Sequence, residues 1–178
     1  MGKKCDGASV GVLVTDGLDR VLIGTRADGA GQAPVAGHVW DAHSSYRDAA
    51  VAEVREETGL HVTALEYVCG GYRPNRCRRG DGPNGPGHMW EVYRATATGS
   101  PGSADGSMVG LRFATGSEIR ALAAWTVQRA LGRVDAGDWR TMPGLEPVWV
   151  RWMHETGYAV LGQDDLRAVQ ARLIEAEA

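Results

Sequence analysis

Two short apolar runs open the hydrophobic pattern, ASVGVLVTD from Ala8 to Asp16 and RVLIGTR from Arg20 to Arg26, with the Gly-containing turn DGLD between them. Apolar and β-branched residues bounded by Gly and Asp predict strands, and so short a turn predicts that they form a first hairpin. The segment DGAGQAPVAG, Asp28 to Gly37, reads as a loop and leads into a helical pattern. HVTALEYVCGGYR, His61 to Arg73, and HMWEVYRATATG, His88 to Gly99, alternate well enough to predict two further strands, and the turn-rich Pro74 to Gly87 separates them as a long loop. After the connection SPGSADGSMVG, LRFAT predicts a strand and SEIRALAAWTVQRAL, Ser117 to Leu131, a helix capped by Ser117. The tail, with PVWVRWMHE and DDLRAVQARLIEAEA, predicts two more helical segments. There is no internal repeat and no clear linker, so 1–178 is expected to form a single domain.

The helical pattern after Gly37 has an unusual polar face. On a wheel turning about 100° per residue, with Glu53 at zero, Glu57 falls near about 40° and Glu56 near about −60°. Val51, Val54 and Thr58 lie beside them, with Ala50, as a narrow apolar stripe on which the helix could dock while presenting its acids. Ser44 or Ser45 is the expected N-cap, Asp48 the loose partner of a capping box and Gly59 the left-handed C-terminal residue, so the helix is predicted over about Tyr46 to Thr58. Like charges at these spacings each cost about 0.2–0.5 kcal/mol, and acids in the last turn oppose the helix dipole. Arg55 points away on the wheel. Either the face is simply solvated, or a hard divalent cation supplies the missing charge, carboxylate oxygens being the ligands that Mg²⁺ and Mn²⁺ prefer.

Composition narrows the partners. The chain has 178 residues, 43% of them hydrophobic, enough for one well-buried core. A net charge of −3 and a pI near 5.9 disfavour polymeric nucleic acid and fit a small molecule better. No apolar run is long enough for a membrane span and MGKKCDGASVGV lacks the core of a signal peptide, so no membrane partner and a cytoplasmic location are expected. Cys5, Cys69 and Cys77 are an odd count without a C-x-x-C pair. A zinc site from Cys5, Cys77 and His88 would need loops to assemble distant ligands; the spacing does not support it, and reduced thiols are expected. Only Lys3 and Lys4 among 19 basic residues are lysines, so the arginine knot Arg73, Arg76, Arg78 and Arg79 is weighed against an arginine-rich background. Guanidinium groups bind phosphate bidentately, and Tyr72, Trp40 or Trp90 could stack on a base, though each of the three is expected rather in core or rim.

From Gly37 to Leu60 the sequence resembles a Nudix box: a glycine, five residues, a glutamate, seven residues, then R-E-U-x-E-E-x-G-U with U apolar. Gly37 matches the opening glycine and EVREETGL, Glu53 to Leu60, the end. Ala52 replaces the family's arginine, His43 and Ser44 stand where its midway glutamate would be, and the interval is one residue longer. Loss of both partners together suggests a re-engineered scaffold rather than simple decay. The resemblance implies an α/β/α sandwich with a mixed sheet, here with a C-terminal helical extension. It implies that Glu53, Glu56 and Glu57, with the Gly37 carbonyl, hold Mg²⁺ or Mn²⁺ for hydrolysis of a nucleoside diphosphate linked to a further group. Arg73, Arg76, Arg78, Arg79 and Tyr72 are the substrate-binding candidates. A box acid, first Glu56 and second the later Asp105, would be the general base. Two other readings stay open: a Nudix-like module that binds a nucleotide without cleaving it, and a hydrolase or isomerase of non-nucleotide diphosphates. Many relatives dimerise, and Trp139, Trp149 and Trp152 could bury a homodimer interface or simply fill a core.

Overall fold

A computed structural model of the chain describes residues 4–83 and 85–174. Strands β1 (Ala8–Val14), β2 (Val21–Arg26), β3 (Gln32–Ala33) and β4 (Val35–His38) precede helix α1 (Tyr46–Thr58). Strands β5 (His61–Arg73), β6 (His88–Thr98) and β7 (Met108–Ala114) follow. Helices α2 (Gly116–Ala130), α3 (Ala136–Thr141), α4 (Pro147–Glu155) and α5 (Gln163–Ile174) complete the chain. The final residues of the predicted tail helix, Glu175 to Ala178, lie outside the described residues.

One sheet has the order β4-β1-β6-β5 and is mixed: β1 runs parallel to β6 and antiparallel to β4, while β5 and β6 are antiparallel. A second, antiparallel sheet has the order β3-β2-β7. The expected first hairpin is therefore corrected. Only an isolated bridge, Thr15 to Val21, joins the ends of β1 and β2, and the two strands then diverge into different sheets. The reason lies in β1, all seven of whose residues are buried. A strand covered on both faces belongs inside a sheet, between two partners, rather than at a hairpin edge.

Alternate residues of β1 serve two cores. Val10, Val12 and Val14 pack toward Ala49, Ala50 and Val54 of α1. Leu13 packs on the other side, among Trp149, Trp152 and Met153 of α4 and Val169 of α5. Helices thus cover both sides, giving the α/β/α sandwich with its C-terminal helical extension. Trp149 and Trp152 are fully buried and Trp139 nearly so, which removes the case for these tryptophans as an interface. Gly11 makes this packing possible, since a Cβ there would stand 2.7 Å from the Trp149 ring.

Helix α1 ends where its sequence signals place it. The Ser45 side chain accepts from the Asp48 N–H, and Gly59, at φ 71°, caps the C-terminus and donates to the Arg55 carbonyl. Helix α2 is capped by Thr115, not Ser117: Thr115 and Glu118 form a reciprocal capping box, which satisfies two otherwise orphaned N–H groups. The expected loop before Gly37 contains β3 and β4, so Gly37 lies within a strand, opposite Val10.

Candidate active site

Helix α1 docks with its acids turned inward. Its buried residues are Ala49, Ala50, Val54, Glu57 and Thr58, whereas Val51, expected in the docking stripe, is 43% exposed. The docked face is centred nearer the glutamates than the apolar residues alone indicate. Glu57 is only 4% exposed and has partners from three elements. Its Oε2 accepts from the Ala36 N–H at 3.2 Å, its Oε1 accepts from the Ser107 hydroxyl at 3.3 Å, and Arg26 Nη1 lies 3.5 Å from Oε1. Burial nevertheless outweighs these contacts and raises its pKa to about 7.

Glu53 is half-buried and its carboxylate lies directly against Gly37. A Cβ on Gly37 would stand 2.5 Å from Glu53 Oε2 and closer still to Oε1, so only glycine leaves room for the carboxylate in this position. Burial and then the charges of Glu57, Glu56 and Asp105 push its pKa up to about 8. Glu56 is exposed at the mouth of the same cleft. Three carboxylates on one helix, with Asp105 acting electrostatically on Glu53 and Glu57, leave a deficit of positive charge, and their oxygens are the donor type that Mg²⁺ and Mn²⁺ prefer. Arg26 is the one cation that reaches Glu57 among the described residues.

The cleft beside α1 has a volume of about 840 Å³, and its lining includes Glu53 and Glu56 together with Arg76, Arg78 and Arg79. Arg78 pairs with Asp28 and Arg79 with Asp41, while exposed Arg76 makes no ion pair among the described residues. Arg73 and Tyr72 do not join this lining. Arg73 lies over the Trp152 ring, 3.9 Å from its centroid, and pairs with Glu155 of α4. Tyr72 is exposed and donates to the Pro86 carbonyl at 2.5 Å. Trp90 is core, its indole N–H donating to Asn75 Oδ1 at 3.0 Å, and Trp40 is an exposed rim residue packed edge-on against Tyr46.

Arg26, Ser107 and the Ala36 N–H carry no sequence signal for this role, because each reaches Glu57 from a different strand or loop. A second group corrects the expectation that loops do not assemble a cysteine and histidine site. Cys5, His38, Cys77 and His88 bring their side-chain ligand atoms within 4.8 Å of one another on the far side of Gly37. The sequence spacing of Cys5, Cys77 and His88 does not by itself indicate such a group, because their approach is made by loops and strand ends.

A two-core sandwich with a glutamate-bearing helix packed against its mixed sheet defines the Nudix class of fold. The family model for the NUDIX domain matches residues 6–143, and the chain belongs to that family of pyrophosphohydrolases. Helices α4 and α5 lie beyond the matched region. The NUDIX domain of Shewanella oneidensis NrtR, in complex with ADP-ribose, is similar at 13% identity over 67% of this chain and 77% of that one, with a TM-score of 0.52. A NUDIX hydrolase from Nitrosomonas europaea is 19% identical over the same shares of each chain, also with a TM-score of 0.52. MutT protein from Methanosarcina mazei Go1 is 14% identical over 68% of this chain and 85% of that one, with a TM-score of 0.50. At such identities the likeness is one of fold. A comparison with curated protein sequences finds no match. Among the described residues no helix is long and apolar enough to cross a membrane.

Proposed function

We propose that this protein hydrolyses the phosphoanhydride of a nucleoside diphosphate linked to a further group, releasing a nucleoside monophosphate and a second phosphate-bearing product. The observation that carries this reading is the inward turn of α1, which buries Glu57 and brings Glu53 and Glu56 to the lining of a cleft that Arg76, Arg78 and Arg79 also line. Glu53, Glu56 and Glu57, with the backbone at Gly37, are the groups that would hold Mg²⁺ or Mn²⁺. When bound, such an ion neutralises the diphosphate and makes water a stronger acid. The chain's own contribution is largely geometric. Ala36, Ser107 and Arg26 fix the Glu57 carboxylate, and Gly37 leaves Glu53 its place. Arg76 is positioned to bind phosphate oxygens, with Arg78 and Arg79 flanking it. Glu56, exposed at the mouth, takes the proton of the attacking water as one P–O bond forms and the bridging P–O bond breaks. That proton then leaves with product or solvent. The likeness to a NUDIX domain that binds ADP-ribose supports a ligand of the nucleoside-diphosphate class. The reading places the enzyme in the cytoplasm, where its three free cysteines stay reduced.

One observation favours a second reading, a binding module without turnover: Ala52 stands in place of the family's arginine, and the midway glutamate is missing. A panel of nucleoside triphosphates, nucleotide sugars and dinucleotides, assayed for phosphate products with Mg²⁺ or Mn²⁺, separates the two. Metal-dependent turnover reduced by at least ~100-fold in Glu56→Gln supports the hydrolase. No turnover, with nucleotide bound equally by both proteins, establishes the binding module instead.

A further inference from the structure

Four side chains from four separate segments meet behind Gly37. Cys5 precedes β1, His38 ends β4, Cys77 lies in the loop between β5 and β6, and His88 opens β6. Cys5 Sγ stands 3.3 Å from His88 Nε2, and Cys77 Sγ stands 3.3 Å from His38 Nε2. The His38 and His88 rings meet edge to face with centroids 5.4 Å apart. All four ligand atoms lie within 4.8 Å of one another. In a tetrahedral zinc site, with Zn–S about 2.3 Å and Zn–N about 2.0–2.1 Å, neighbouring ligand atoms stand roughly 3.3–3.8 Å apart. Two sulfur–nitrogen pairs already stand at that spacing and the remaining pairs lie within 4.8 Å, close enough for small side-chain shifts to complete the tetrahedron, and two sulfurs and two imidazoles are the donors that zinc selects over magnesium.

The surroundings of the ligands are independent of those distances and point the same way. The Gly7 N–H donates to Cys5 Sγ, and the Arg79 N–H donates to Cys77 Sγ, each at 3.4 Å and each from two residues along the chain. Glycines at positive φ complete both bends, Gly7 at 72° and Gly80 at 91°, and the Gly80 N–H closes a turn onto the Cys77 carbonyl. A weakly accepting thiol gains little from such N–H groups, whereas a metal-bound thiolate is stabilised by them. On the opposite side, His88 Nδ1 lies 3.2 Å from the Asn75 carbonyl. Donation there fixes the tautomer that leaves Nε2 free to ligate, the outer-shell arrangement usual for ligating histidines. Zn²⁺ with two thiolates and two neutral imidazoles is electrically neutral, which suits a pocket where Cys5 and His88 are both buried.

We propose that Cys5, His38, Cys77 and His88 form a closed, structural zinc site that fastens the arginine-bearing loop to the wall of the cleft. Binding releases two protons as both thiols become thiolates, and four protein ligands leave no open position for catalysis. The site is distinct from the carboxylate cluster in ligands and in metal preference. Its mechanical role follows from the sequence around Cys77. Arg76, Arg78 and Arg79 flank it in the loop between β5 and β6, whose described residues form no strand or helix, so a metal bond at Cys77 anchors the backbone that carries three guanidinium groups lining the cleft. This inference does not depend on whether the cleft hydrolyses or only binds.

The test uses the full chain, free of any histidine tag, purified under reducing conditions from zinc-supplied cells. Elemental analysis is expected to give about one zinc per chain. Chelation under denaturing conditions, followed by refolding with Co²⁺, is expected to give the intense visible absorption of tetrahedral cobalt with thiolate charge transfer. Cys77→Ser and the gentler His38→Gln are each expected to lower zinc content at least several-fold, while Glu56→Gln retains it. Zinc-free protein that stays metal-free after refolding with Zn²⁺ would overturn the proposal. So would a weak octahedral cobalt spectrum, a Cys5–Cys77 disulfide in the reduced preparation, or zinc lost through Glu56→Gln but kept in Cys77→Ser. The wild-type measurements decide the matter even if a ligand variant fails to fold.

Discussion

Replacing Gly37 with alanine adds one methyl group at the point where strand β4 touches the acidic helix. Gly37 has no positive φ, so the backbone accepts alanine without strain and the effect falls on what the methyl meets. That is the Glu53 carboxylate: Oε2 would stand 2.5 Å from the new Cβ, with Cδ and Oε1 nearer, whereas real Cβ atoms essentially never come within 3.0 Å of such neighbours. The carboxylate must withdraw by about 1 Å or more, and a displacement of about 1 Å at a reacting centre can cost on the order of 10²-fold in rate. The displaced group is the far end of a flexible side chain, so stability should fall by no more than about 1 kcal/mol, or about 2–4 °C in Tm for a chain of this size. Gly37→Ala is therefore expected to remain folded and to lose about 100-fold in kcat/KM for the substrate found in the panel. Thermal unfolding and product release under saturating Mg²⁺ read the two quantities on one preparation. Turnover within about threefold of wild type would refute the placement of Glu53 in the working site. A large fall in Tm accompanying the loss would refute the claim that the methyl acts on the carboxylate alone.

Other consequences concern charge. Glu53 and Glu57 have folded pKa values raised from 4.5 to about 8 and about 7, so their protonated forms contribute stability that is complete below 4.5 and lost as pH rises through about 7 and 8. Without added divalent metal, Tm should fall across that window more steeply in wild type than in Glu53→Gln, and Mg²⁺ should restore it most at the alkaline end; equal pH profiles would contradict this. Arg26→Met removes the cation 3.5 Å from Glu57. It should destabilise the protein by about 1–3 kcal/mol in urea unfolding, less than a fully charged buried pair would lose because Glu57 can take up a proton, and should move the acidic limb of the pH–rate profile upward. Arg73→Ala should cost about 1–2 kcal/mol through its contacts with Trp152 and Glu155 while leaving KM unchanged. Arg76→Ala should raise KM with little change in Tm, and the reverse pattern would exchange the roles of the two arginines.

The parts of this molecule legible in its sequence are those governed by local chemistry. Ser45 and Gly59 bound α1 because a hydroxyl and a left-handed glycine act within a few residues of themselves. Strand β5 runs over His61–Arg73 as its alternation indicates. The T-x-x-E pattern at Thr115 and Glu118 was equally local, and it outranks the single hydroxyl of Ser117. What the sequence did not carry depends on partners distant in the chain. The helical wheel groups Glu53, Glu56 and Glu57 correctly, but apolar residues alone assign the docked face to Val51. Glu57 is drawn inside by an N–H, a hydroxyl and a guanidinium from three other elements. Arg73 sits in the arginine knot by sequence but ends a strand whose register aims it at α4. Four ligands drawn from four segments have no spacing to recognise.

The position of β1 also bears on how the chain can be made. Its parallel partner β6 begins at His88, and every residue of β1 from Ala8 to Val14 is in register with one between Met89 and Ala95. On a ribosome, β1 therefore emerges about eighty residues before the strand that completes it, and the central sheet cannot close until β6 is out. During that interval a strand destined for full burial waits with at most its antiparallel neighbour β4 beside it. The step that limits productive synthesis is thus expected to be the arrival of β6, and pausing of translation shortly before it would expose the nascent chain to aggregation at its N-terminal strand.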